Sequence, residues 1–150
     1  MIGYPDTSFL CALYRQQENS SEAARFFRAM PEALHVSPLL LFEFRQSLRL
    51  QVFIHSKDPR KGFSKTESDA ALAALQANIA SGALVVVPAD WTDVYAIAER
   101  LSHRHTRDRG CRGFDILHVA TALHLGARQF LSFDPKQRAL AEAEGMEPLP

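Results

Sequence analysis

Cysteine is scarce in this 150-residue chain, and neither sign of charge is in excess. The two cysteines, Cys11 and Cys111, form no CxxC metal motif and cannot build the disulfide framework of a small secreted domain. Both read as reduced thiols, Cys11 as a small core residue of a predicted helix and Cys111 in a predicted loop. Seventeen Lys and Arg balance seventeen Asp and Glu for a formal net charge of +0, so no global basic field marks a nucleic-acid partner and only local patches could bind one. No apolar run approaches the length of a membrane-spanning helix. The start Met-Ile-Gly-Tyr-Pro-Asp lacks the basic residues and apolar stretch of a signal peptide. These absences predict a cytoplasmic protein with no membrane partner. Repeats and low-complexity segments are also missing. What is present is 47% hydrophobic residues, enough for one globular domain over residues 1–150 with a proper core.

Periodicity and punctuation predict strands alternating with helices. Met1 to Pro5 reads as a strand, and Asp6-Thr7-Ser8 opens a helix through Tyr14. Asn19 and Glu22, at capping-box spacing, open a second helix that Pro31 ends. Leu34 to Ser37 is the second strand, and Ser37-Pro38 gives N-cap plus N1 proline for a helix to about His55. Ser56 to Ser64 is a polar loop. Ser64 and Glu67 form a second capping box, for a helix stopped by Gly82. Ala83-Leu84-Val85-Val86-Val87 is a continuous apolar run, which predicts a strand buried on both faces. Asp90 caps the next helix, Arg100 to Arg112 is the most basic stretch, and an apolar helix follows to Leu125. Gln129 to Phe133 is a strand, Asp134-Pro135 starts a helix ended by Gly145, and Met146 to Pro150 is a last short strand. The alternation predicts an α/β fold with a parallel central sheet of four or five strands between layers of helices. In such folds ligands bind beyond the carboxyl ends of the strands.

Four carboxylates are predicted at that edge. Asp6 follows the first strand, Glu43 lies in the second turn of the helix leaving the second, Asp115 opens the apolar helix, and Asp134 follows a later strand. Asp6, Asp115 and Asp134 each have a structural reading as helix N-caps. Glu43, inside Leu41-Phe42-Glu43-Phe44, has none beyond pairing with Arg45 or Arg49. His118, three residues after Asp115, shares its face and reads as a core or supporting histidine. Four acids in one pocket would repel one another unless a cation sat among them. A set of oxygen donors without thiolates suits Mg²⁺ or Mn²⁺. Such ions activate water for in-line attack on phosphodiesters. Arg104, Arg107, Arg109 and Arg112 would supply phosphate contacts.

Asp6-Thr7-Ser8-Phe9-Leu10, Leu41-Phe42-Glu43-Phe44, Asp115-Ile116-Leu117-His118-Val119-Ala120-Thr121-Ala122 and Phe130-Leu131-Ser132-Phe133-Asp134, in this order, resemble the motifs of PIN-domain nucleases, and among them the VapC-type toxin ribonucleases of bacterial toxin-antitoxin pairs. The resemblance spans essentially the whole chain. It implies a PIN-like three-layer fold, an acidic site of Asp6, Glu43, Asp115 and Asp134 holding Mg²⁺ or Mn²⁺, and Ser8 and Ser132 as supporting hydroxyls. It further implies an RNA substrate, hydrolysis by metal-activated water, a homodimer and a cognate antitoxin. Two positions depart from the pattern. Gly3 and Pro5 stand where β-formers are usual, so the first strand either ends at Tyr4 or loses a ladder hydrogen bond. Ser132 stands where Thr is common, which keeps the hydroxyl. The competing reading is a catalytically silent PIN-fold module that binds RNA or a protein partner. A haloacid-dehalogenase-like phosphatase needs a second Asp where Ser8 stands, and a receiver domain needs an adjacent acidic pair that is missing.

Overall fold

The structure, a computed structural model, describes residues 3–150. Met1 and Ile2, the expected start of the first strand, lie outside them. The elements in order are β1 (Gly3–Pro5), α1 (Thr7–Tyr14), α2 (Ser20–Ala29), β2 (Leu34–Val36), α3 (Pro38–Lys57), α4 (Lys65–Ala80), β3 (Leu84–Val86) and α5 (Trp91–Leu101). A π-helical turn at Ser102–Thr106 leads into α6 (Arg107–Arg109), and α7 (Gly113–His124), β4 (Gln129–Leu131), α8 (Pro135–Ala143) and β5 (Glu147–Leu149) complete the fold.

The caps explain why most helices start where they do. Asp6, Ser37, Ser64, Asp90 and Asp134 each accept a backbone N–H in the first turn of the following helix, satisfying donors that have no partner within the helix. Ser64 and Glu67 form the expected reciprocal box. The box expected at Asn19 does not form, because Asn19 makes no side-chain cap bond. Ser20 closes that turn instead, its hydroxyl donating to the Arg15 carbonyl at 2.6 Å and accepting from the Gln17 N–H at 2.9 Å.

All five strands are parallel, as the alternation predicts, but they form two ladders, β1-β4-β5 and β2-β3. β1 and β2 lie side by side with no ladder between them among the described residues. Pro5 is the reason. The Asp6 N–H points to β4, donating to the Leu131 carbonyl at 2.9 Å. Backbone donors alternate edges along a strand, so the donor of residue 5 would point to β2, and proline has none. The strand therefore runs through Pro5 on its β4 side, and among the described residues it is unpaired on the other. A side-chain bond, Tyr4 Oη to Ser37 Oγ at 2.7 Å, crosses the seam.

β3 corrects a second expectation. It pairs only with β2, and Val85 and Val86 are 37% and 42% exposed, so only Leu84 of this run is buried in the core. A continuous apolar run fits an edge strand as well as a central one, since periodicity carries no information on its neighbours. Helices α1 to α4 pack among themselves, and α7 packs on α5 and α8. Tyr4, Phe9, Phe44 and Phe130 are the largest side chains of the core between them. No helix is long and apolar enough to cross a membrane among the described residues.

Candidate active site

The parallel ladders bring the ends of β1 and β4 together, so Asp6 and the Ser132–Asp134 turn meet across the sheet edge. Asp6 is fully buried. Its Oδ1 accepts from the Phe9 N–H at 2.9 Å and the Ser8 hydroxyl at 2.7 Å, and its Oδ2 accepts from the Ser132 hydroxyl at 2.5 Å. Ser132 also accepts from the Asp134 N–H at 3.0 Å, and Ser8 from the Phe133 N–H at 2.8 Å. The two serines thus tie the β1 and β4 termini into one network. Asp134 caps α8, accepting from Lys136 and Gln137 at 2.8 and 3.2 Å.

Glu43 enters from α3, on the other side of the seam. Its Oε2 accepts from the Thr7 hydroxyl and lies 2.5 Å from His118 Nε2. Neither Arg45 nor Arg49 pairs with it. Asp115 is not the N-cap of α7 but its third residue, and its Oδ2 accepts from the Arg112 N–H at 3.3 Å. His118, one turn further on, is fully buried with its Nδ1 unpartnered. Asp6 and Asp134 therefore are helix N-caps, as their structural readings have it, whereas Asp115 instead accepts from the N–H of the N-cap residue. They are nonetheless linked: Asp6 to Asp134 through Ser132, and Glu43 both to the residue after Asp6 and to the residue three beyond Asp115.

Electrostatics follow from this placement. Burial pushes the Asp6 carboxyl above its usual range, against the opposing pull of Ser132, Ser8 and the Phe9 N–H. Burial also raises Asp115, opposed by the Arg112 N–H and reinforced by the charges of Asp134 and Glu43. Burial would raise Glu43 too, but the bonds from His118 and Thr7 outweigh it and hold it low. Asp6 thus has hydroxyl and N–H partners but no cationic side chain bonded to it, which is the environment a divalent cation would compensate. The donor set, carboxylates and hydroxyls with no thiolate, fits a hard cation. Among the described residues no three His, Cys, Asp or Glu side chains are grouped closely enough to hold an ion as they stand.

The arginines divide. Arg104 donates to Glu144 at 3.0 Å and Arg109 to the Ala139 carbonyl at 3.1 Å, so both are engaged within the fold. Arg107 and Arg112 are exposed, and their side chains make no hydrogen bond among the described residues. Thr7 was missed by the sequence reading. Nothing in local spacing pairs it with a residue 36 positions away.

The profile of the PIN domain family matches residues 3–143. No curated protein matches the sequence. Among solved structures, the chain is similar to Mycobacterium tuberculosis VapC20, described as a Sarcin-Ricin loop cleaving toxin, at 21% identity and TM-score 0.68 over 99% of both chains. VapBC2 from Rickettsia felis, bound to a DNA fragment from its promoter, gives 13% identity and TM-score 0.66 over 99% of this chain and 97% of that one. FitAcB from Neisseria gonorrhoeae gives 16% identity and TM-score 0.64 over 99% and 97%. At these identities the likeness is one of fold.

Proposed function

The chain belongs to the PIN-domain family, and from that premise we propose that it is a divalent-cation-dependent RNA endonuclease, the toxin of a VapBC-type toxin-antitoxin pair, hydrolysing phosphodiester bonds. The observation that carries this reading is the convergence of four acid-bearing segments at one sheet edge: Ser132 joins Asp6 to the Asp134 backbone, and Glu43 bonds Thr7, next to Asp6, and His118, one turn beyond Asp115. Those four carboxylates would hold Mg²⁺ or Mn²⁺. When bound, such an ion neutralises phosphate charge and makes an attacking water more acidic.

The chain's own groups prepare the site. Ser8 and Ser132 fix both oxygens of Asp6, and the α1 N-terminus adds the Phe9 N–H. Burial keeps bulk water from screening that carboxylate, so its interaction with a cation is strong. Arg107 and Arg112, whose side chains make no hydrogen bond among the described residues and which flank the turn into Asp115, would contact phosphates of an RNA strand. Arg104 and Arg109 would have to leave internal partners to do so. A cognate antitoxin that covers the site, a homodimer and a cytoplasmic location complete the reading.

Expression of Asp6→Asn beside the parent tests it. The parent should arrest growth and cut RNA in an EDTA-sensitive manner, and the variant should do neither. Equal toxicity, or cleavage indifferent to EDTA, would overturn the assignment. A parent that neither binds Mn²⁺ saturably nor cuts any RNA pool would be a PIN-fold binding module instead.

A further inference from the structure

Glu43 stands on the β2-β3 side of the seam at Pro5, whereas Asp6 and Asp134 are carried by the β1-β4-β5 ladder. Among the described residues no ladder spans that gap, so side-chain contacts help set the place of Glu43 relative to the other acids. Besides Tyr4 on Ser37, two hold its carboxylate directly: Thr7, next to Asp6, and His118, one turn beyond Asp115. Both bond the same oxygen. Oε2 takes both contacts, and Oε1 makes no hydrogen bond among the described residues.

The state of His118 follows from its surroundings. Its Nδ1 is buried with no partner among the described residues. An N–H there would be a buried unsatisfied donor, whereas a bare lone pair costs less, so the proton belongs on Nε2, donating to Glu43. The ring is thus committed to one contact. Fold stability does not account for it, because an apolar side chain of similar size would fill the same space in α7 without an orphaned nitrogen. Its neighbours there, Ile116, Val119, Ala120 and Ala122, are apolar and buried.

We infer that His118 is a positioning residue that, with Thr7, pins Glu43 by Oε2 and reserves Oε1 as the oxygen that ligates the cation. This rests on the metal-site reading above. Partners of ligating carboxylates are worth about 10- to 100-fold in metal affinity. The ring touches the ligand rather than the ion or substrate, so its effect should appear in cation binding before any reaction.

The test is titration of Mn²⁺ alone into the metal-free full chain by calorimetry at fixed pH, with melting curves alongside. The parent should bind saturably. His118→Leu should bind about 10- to 100-fold more weakly while melting close to the parent, because Glu43 is partly solvated and water replaces the lost donor. His118→Gln, whose amide can donate in place of Nε2–H, should recover most of the affinity, and Thr7→Val should weaken binding as His118→Leu does. His118→Leu binding as tightly as the parent, or more tightly, would overturn the inference while leaving the metal site intact. Equal losses in His118→Leu and His118→Gln would assign the residue to packing and overturn it as well. If His118→Leu does not fold, the Gln and Thr7 variants decide in the same way. Absence of saturable binding in the parent would overturn the site reading itself, and this inference with it.

Discussion

Glu144 offers a test of how the basic stretch is held. It ends α8, and its side chain is only 5% exposed. Oε1 lies 2.7 Å from His105 Nε2 and 3.0 Å from Arg104 Nη1, and Oε2 lies 3.0 Å from Arg100 Nη1. The π-helical turn at Ser102–Thr106 places Arg104 and His105 for this contact. The His105 bond is buried and charge-assisted, a class worth about 1.5–3 kcal/mol. Arg100 and Arg104 are 47% and 57% exposed, so solvent screens each to about 0.2–1 kcal/mol. Glu144→Gln keeps one acceptor but sets an amide N–H against a guanidinium. A loss of about 2–3 kcal/mol is therefore expected, and at roughly 3 °C per kcal/mol for a chain of this length Tm should fall about 6–9 °C. The pH dependence has a definite sign. Burial pushes the Glu144 carboxyl up, but His105, Arg100 and Arg104 together hold it below its ordinary value of 4.5. A depressed carboxylate contributes stability above its unfolded pKa and loses it as pH falls through the folded value. The gap between parent and variant should thus be full at pH 7 and close in acid, below 4.5. Thermal melts of both proteins from pH 7.5 to 3.5 would check this. Equal Tm at pH 7.5, or a gap that persists unchanged into acid, would refute the reasoning.

Asp6 should behave in the opposite sense. Its raised carboxyl contributes stability below the ordinary value of 3.8 that is lost as pH rises through the folded value. Asp6→Asn, which retains acceptors for Phe9 and Ser8, should therefore melt above the parent at pH 7 in EDTA, and a lower melting point would contradict the account. Replacing Arg107 and Arg112 with Ala should weaken RNA binding and reduce its salt slope by about 2. Replacing Arg104 alone should mainly lower Tm. Filter binding across a salt series and thermal melts separate the two effects. Gly62 sits at φ +63, and a Cβ there would meet the Gln51 carbonyl oxygen at 2.2 Å. Gly62→Ala should cost about 2–4 kcal/mol from left-handed backbone strain and displacement of α3, read by urea unfolding.

Much of this molecule was legible in one dimension because much of it is decided locally. Ser37-Pro38, Ser64 with Glu67 and Asp134-Pro135 mark helix starts through bonds closed within three residues. Glu43 and Asp115 were visible because carboxylates are expensive in apolar runs, and Asp6 and Asp134 because each directly follows a strand. Asn19 misled because Ser20, one position on, offers a hydroxyl to the same turn. Val85 and Val86 misled because a strand's exposure depends on how many neighbours it has. The partners of Glu43 were out of reach for a plainer reason: Thr7 and His118 are 36 and 75 residues away, and only the folded chain brings them close. The π-helical turn left no mark in the pattern either, since its extra residue shifts the register of a basic stretch that carries little apolar periodicity.

The proline at the end of β1 bears on more than one missing bond. Backbone ladders fix the spacing of what they carry to within tenths of an ångström, while side-chain hydrogen bonds leave room to slide and tilt. Asp6 and Asp134 therefore ride on one stiff plate and Glu43 on another, so a change at Thr7 or His118 should shift Glu43 against the other acids while leaving the Asp6–Asp134 spacing as it is.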